Sequence, residues 1–150
     1  MAITVTWYPL TLEKMIEQVG NDVNLLTGTV KLALATSGYT PDRDVHDFWN
    51  DVSASEVATG NGYTTGGETL AGKTITYDTA SDQVRFDFTD VTWTFTAAKT
   101  WLYGIVYIDT AGASSTDPLV ALLTWDSSQT VSTAYTLVID AAGLLYIDAT

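Results

Sequence analysis

The sequence contains no cysteine, a single histidine and only six lysines and arginines in 150 residues. Without cysteine there is no disulfide, no thiolate metal site, no iron–sulfur cluster and no cysteine nucleophile. The same absence is neutral on redox compartment, because a chain without thiols is indifferent to it. Any Ser-His-Asp triad has to use His46. No apolar run approaches the roughly 20 residues of a helical membrane span. The start, Met1-Ala2-Ile3-Thr4-Val5, lacks the basic and apolar segments of a secretory signal. The expectation is a chain made soluble inside a cell.

Against six basic residues stand eighteen acids, for a formal charge of −12. The basic residues are scattered from Lys14 to Lys99 and no two are adjacent. Phosphate backbones are bound by clustered Lys and Arg, so nucleic acid is not expected as a direct partner. Anionic lipid headgroups repel such a surface, so no membrane partner is expected either. Negative charge keeps a chain soluble and suits docking on a basic protein surface. The length predicts one domain over residues 1–150. A chain of that size buries roughly 68–70% of its unfolded surface and needs no staple.

What the chain has in quantity is threonine, with 26 copies, beside many β-branched and aromatic residues. Such side chains suit a pleated, half-buried surface. Apolar residues alternate with polar ones in Gln83–Thr89 and in Val91–Thr96, as in strands with one dry face. Lys99–Asp109 is more continuously apolar and reads as a central strand buried on both faces, or one bent at Gly104. Thr29–Ala35, Lys73–Tyr77, Leu119–Trp125, Ala134–Asp140 and Leu144–Ile147 complete the set. Small-residue turns separate them, among them Asp126-Ser127-Ser128-Gln129. The predicted fold is all-β: an antiparallel sandwich or barrel-like domain of about eight strands, with one or two short helices near the N-terminus.

Two segments carry helical spacing. Leu12, Met15, Ile16 and Val19 fall on one face of Thr11–Val19, with Thr11 as cap and Gly20-Asn21 as stop. Val45, Phe48, Trp49 and Val52 recur in the same way after Pro41, predicting a second short helix over Asp42–Val52. That helix would place Asp44, Asp47 and Asp51 on one solvated face.

Reactive constellations are sparse. His46 has Asp42, Asp44 and Asp47 nearby in sequence, but no Gly-x-Ser-x-Gly elbow exists, and a capping or surface role is expected of it. Asp42-Arg43-Asp44 begins like a calcium loop, yet no glycine follows for the sharp turn, so no metal is expected. Glu56 and Glu68 flank a glycine-rich stretch and are the acids nearest to a glycosidase-like pair. The stretch itself, Gly60-Asn61-Gly62-Tyr63-Thr64-Thr65-Gly66-Gly67, has no lysine and no following helix, and so is no phosphate cradle. Gly60, Gly62, Gly66 and Gly67 are expected to supply positive φ angles to tight turns, with Tyr63 packed or hydrogen-bonded there. No cofactor and no enzymatic activity are expected. Among the five tryptophans, Trp7 and Trp125 lie near strand or chain ends and are the candidates for exposure, where a ring can stack on sugar.

The segment Ser55-Glu56-Val57-Ala58-Thr59-Gly60-Asn61-Gly62-Tyr63-Thr64-Thr65-Gly66-Gly67 resembles a motif of small virion proteins of tailed bacteriophages. In those proteins an (Asn/Ser)-Glu-Val precedes a Gly-x-Gly-Tyr and then a Gly-Gly. The likeness continues through Val91-Thr92-Trp93, Val106-Tyr107, Asp117-Pro118-Leu119-Val120 and Ile139–Leu145, covering residues 30–147. Ala58-Thr59-Gly60-Asn61 departs from the family's tighter Gly-Thr-Gly. The resemblance implies a structural role in a virion: a capsid decoration protein that binds and stabilises the assembled head. The alternative is a tail or knob protein that binds a host receptor or glycan. It implies synthesis in the bacterial cytoplasm, the major capsid protein or other virion proteins as partners, and a homo-oligomer such as a trimer. Contact residues are expected at Trp7, Tyr8, Asp44, Asp47, Asp51 and Trp125.

Overall fold

The computed structural model describes residues 2–17 and 23–148. Ten antiparallel strands and one α-helix make a sandwich-like, mainly β fold among these residues. The strands are β1 (Ile3–Trp7), β2 (Thr29–Ala35), β3 (Glu68–Thr69), β4 (Thr74–Asp78), β5 (Gln83–Asp87), β6 (Val91–Thr94), β7 (Lys99–Asp109), β8 (Leu119–Val131), β9 (Ala134–Leu137) and β10 (Leu145–Asp148). Helix α1 spans Pro9–Glu17. A central sheet runs β1-β8-β7-β2-β3, beside a three-stranded sheet β10-β5-β4 and the pair β6-β9.

The central sheet is covered on both faces, which explains the long apolar run of β7. On one face Leu32, Leu34, Val106, Leu123, Trp101 and Trp125 join Phe86, Trp93 and Leu145 of the smaller sheets. On the other face Ala33, Ala35, Ile105 and Leu122 meet Tyr8, Tyr39, Trp49 and Val52. Side chains alternate across a strand, so Ile105 and Val106 belong to different cores and both are fully buried. Gly104 pairs with Leu34 of β2 and Leu123 of β8. It leaves room for an indole, because a Cβ there would lie 3.1 Å from the Trp125 ring.

Several sequence expectations change. β1 and β3 are additional strands. β8 continues through Asp126-Ser127-Ser128-Gln129, which is strand and not turn, because Gln129, Thr130 and Val131 pair with Trp101, Thr100 and Lys99. The extra residues are taken up in an irregularity where Leu102 faces the stretch between Thr124 and Gln129.

Helix α1 starts at Pro9, whose ring pre-sets the first helical position. Thr11 is therefore inside the helix, and its buried hydroxyl donates to the Leu119 carbonyl. That bond fixes the helix's rotation, so Leu12 and Met15 turn inward while Ile16 is 83% exposed. The predicted Val19 and the Gly20-Asn21 stop lie outside the described residues.

The second predicted helix does not form. Asp42–His46 makes a single turn, and Trp49–Asp51 and Ser53–Ser55 are short 3-10 turns. Tertiary hydrogen bonds win over helical spacing here. Trp49 N–H donates to the Asp117 carbonyl (2.8 Å) and Leu119 N–H to the Asp47 carbonyl (2.9 Å). These draw Phe48 into an extended bridge opposite Pro118. Trp49 and Val52 still reach the core, with the Trp49 ring stacked on Tyr107 at 4.4 Å.

Candidate functional site

The glycine-rich stretch closes the open edge of β2. Strand β3 pairs only with Lys31 and Leu32, which leaves the backbone of Leu34 in need of partners. Val57 N–H donates to the Leu34 carbonyl (2.9 Å), and Leu34 N–H donates to the Tyr63 hydroxyl (2.9 Å). Tyr63 is buried, and its hydroxyl in turn donates to Glu56 Oε1 (2.8 Å). The same carboxylate oxygen accepts the Gly66 N–H (2.6 Å), and Tyr107 donates to the Gly66 carbonyl (2.9 Å).

Turn geometry makes this network reachable. Gly60, Gly62, Gly66 and Gly67 all have positive φ, as expected from the sequence, and Asn61 joins them. Gly60 and Tyr63 exchange backbone hydrogen bonds across the tight turn. Two of the glycines also have no room for a side chain. A Cβ on Gly62 would overlap the Thr94 carbonyl, and one on Gly67 the Leu32 carbonyl.

Burial pushes the Glu56 carboxyl above its ordinary value, and hydrogen bonds from Tyr63 and Gly66 partly offset the effect. Burial, reinforced by the Glu56 charge, drives the Tyr63 hydroxyl far upward. Glu68 sits on β3 opposite Leu32, and no hydrogen bond joins it to Glu56 among the described residues.

A second polar cluster lies on the opposite core. His46 Nδ1 accepts the Asp42 backbone N–H (3.3 Å). The Tyr39 hydroxyl is hydrogen-bonded to the same nitrogen (2.9 Å) and to the Tyr8 hydroxyl (2.9 Å), so the three side chains form one connected run. Burial first, then the bond to Tyr39, raises the Tyr8 hydroxyl. This chain ends at His46 with no serine in it, so it fastens the 39–46 loop to the sheet. Among the described residues no three His, Asp or Glu side chains converge as a metal centre would need.

The expected contact residues separate into two groups. Tyr8 is 0% and Trp125 1% exposed, so neither can present a ring to a partner. Trp125 faces the core because β8 continues past it, and its indole N–H donates to the Tyr135 hydroxyl (2.9 Å). Asp47 and Asp51 are engaged within the fold and do not share one solvated helical face. Asp47 pairs with Lys14 (3.0 Å), and Asp51 accepts the N–H groups of Asp47 and Phe48 (3.0 and 3.2 Å).

Asp44 and Trp7 remain at the surface, Trp7 half-buried. Its indole N–H donates to the Tyr146 carbonyl (3.0 Å), and its own carbonyl accepts from Arg43 (3.2 Å). Trp7, Arg43, Leu12 and Tyr146 line an open groove of about 420 Å³ beside α1. This groove could not be read from sequence, since it joins residues 7, 43 and 146. No family model, no curated protein and no solved structure matches the chain.

Proposed function

We propose that the chain is a bacteriophage virion structural protein that decorates and stabilises the assembled head. The observation that carries this reading is the use made of the motif on which the resemblance rests. Glu56, Gly60, Gly62, Tyr63, Gly66 and Gly67 are spent on fastening one loop to the edge of β2. A motif devoted to shape, with its acid and phenol both tied down, suits a protein whose work is to hold a surface.

Docking then falls to the exposed groove at Trp7 and Arg43 and to the neighbouring loop that carries Asp42 and Asp44. The net charge of −12 suits a basic partner surface, here the major capsid protein or another virion protein. The place of action is the virion, after synthesis in the bacterial cytoplasm. Binding that occurs only on the assembled shell stabilises that shell by mass action.

The test is add-back. Purified protein is mixed with heads of the encoding phage assembled without it, and heat resistance is measured. Regained resistance, weakened by Trp7→Ala or by Arg43→Ala, is the expected result. Failure to bind heads sinks the reading. The half-buried Trp7 ring beside exposed Tyr146 keeps a second reading, a tail or knob protein that grips host glycan. Glycan binding lost on Trp7→Ala, without head binding, favours that one.

A further inference from the structure

Strand β4 ends the β10-β5-β4 sheet, and among the described residues β5 is its only strand neighbour. Thr74, Ile75, Thr76 and Tyr77 are all exposed. Thr74–Asp78 has no proline, no lysine and no bulge against β5, and its one charge, Asp78, stands at the end of the strand. This contrasts with the edge of β2, where Val57 and Tyr63 satisfy Leu34. A bare edge offers unpaired N–H and C=O groups to another strand.

We propose that β4 pairs antiparallel with β4 of a second copy of this chain, about a two-fold axis through Thr76. The two three-stranded sheets then join as β10-β5-β4-β4-β5-β10. The strand is self-complementary in this register. Centring on Thr76 sets Ile75 of each copy opposite Tyr77 of the other, and Thr74 opposite Asp78. An aromatic opposite a β-branched residue is a favourable cross-strand pair.

Continuity of the sheet supports the same register. Ile75 already shares a face with Phe86 and Leu145, and Tyr77 with Val84 and Ile147. Ile75, Tyr77, Val84 and Ile147 are each at least 40% exposed. The joint carries that apolar face from one copy into the next. Charge also fits, because Asp78 meets a threonine and is held by its own Arg85 at 2.6 Å. Two acids directly opposite would repel.

A five-residue strand pair buries less than the roughly 800 Å² per partner of a standard stable interface. The expected behaviour is therefore a concentration-dependent exchange between monomer and dimer. The inference needs only this edge and stands apart from the virion reading.

Because the chain has no cysteine, Thr76→Cys introduces its only thiol. Under mild oxidation this variant should form disulfide-linked dimers many-fold faster than Ser128→Cys, placed on an exposed stretch of β8. Sedimentation velocity should show wild type dimerising as concentration rises. Tyr77→Lys should stay monomeric with an unchanged circular dichroism spectrum. Wild type monomeric at every concentration, or Thr76→Cys linking no faster than Ser128→Cys, overturns the proposal.

Discussion

The Tyr63 hydroxyl donates to Glu56 Oε1 at 2.8 Å while accepting the N–H of Leu34, so one phenol ties a turn, a carboxylate and a strand edge together. Tyr63→Phe keeps the ring and removes only this tie. It leaves the Leu34 N–H buried and unpaired, which costs about 1–3 kcal/mol. Urea denaturation should show a lower midpoint with an unchanged slope. A variant as stable as wild type would mean that the tie contributes nothing.

Glu56 gives the fold a pH dependence of defined sign. Its folded-state pKa lies above the ordinary 4.5, so the native state holds the proton more tightly than the unfolded chain. The stability this confers is complete below 4.5 and is lost as pH rises through the raised value. Glu56→Gln keeps an oxygen to accept from Tyr63 and Gly66 but cannot ionise. The stability of wild type relative to this variant should fall with rising pH across that window. A flat or rising difference would refute the assignment.

Asp109 has the opposite sign. The Ala111 backbone N–H, then Lys31 at 3.0 Å, hold its carboxyl below the ordinary range. Its contribution is present above the unfolded value of 3.8 and disappears as pH falls through the folded one. Asp109→Asn should destabilise at neutral pH and converge with wild type in acid, as followed by thermal melts across pH.

The glycines of the loop should rank by space as well as by φ. Gly60 at φ +107° has nothing within 4 Å of a Cβ, so Gly60→Ala carries backbone strain alone, about 1–2 kcal/mol. Gly62→Ala carries comparable strain and also drives a methyl into the Thr94 carbonyl. Gly62→Ala should therefore lower the melting temperature by more than Gly60→Ala does. Equal effects would show that Thr94 can move aside.

Gly104 and Trp125 should be coupled. Gly104→Ala crowds the indole at 3.1 Å and should cost about 1–3 kcal/mol by overpacking. Trp125→Phe opens space but loses the bond to Tyr135. Combining the two should cost less than the sum of the single changes in a double-mutant cycle on unfolding free energy. Strict additivity would count against the contact.

The sequence alone determined the strand-rich, antiparallel character, because period-two alternation and β-branched residues act locally. Thr29–Ala35 and Lys99–Asp109 are readable to the residue for that reason. So is the positive-φ role of Gly60, Gly62, Gly66 and Gly67, which is a property of single residues. Tertiary contacts decided the rest. Asp42–Val52 has helical spacing, yet bonds to Asp117 and Leu119 pull it into turns and an extended bridge. Trp125 is adjacent to a turn-like sequence, yet pairing with distant Trp101, Thr100 and Lys99 carries β8 onward and buries the ring. The Trp7 groove, the Glu56–Tyr63 lock and the bare edge of β4 depend on which strands become neighbours. Hydrophobic period is set within a few residues, whereas strand partners are set by long-range burial across the whole sheet.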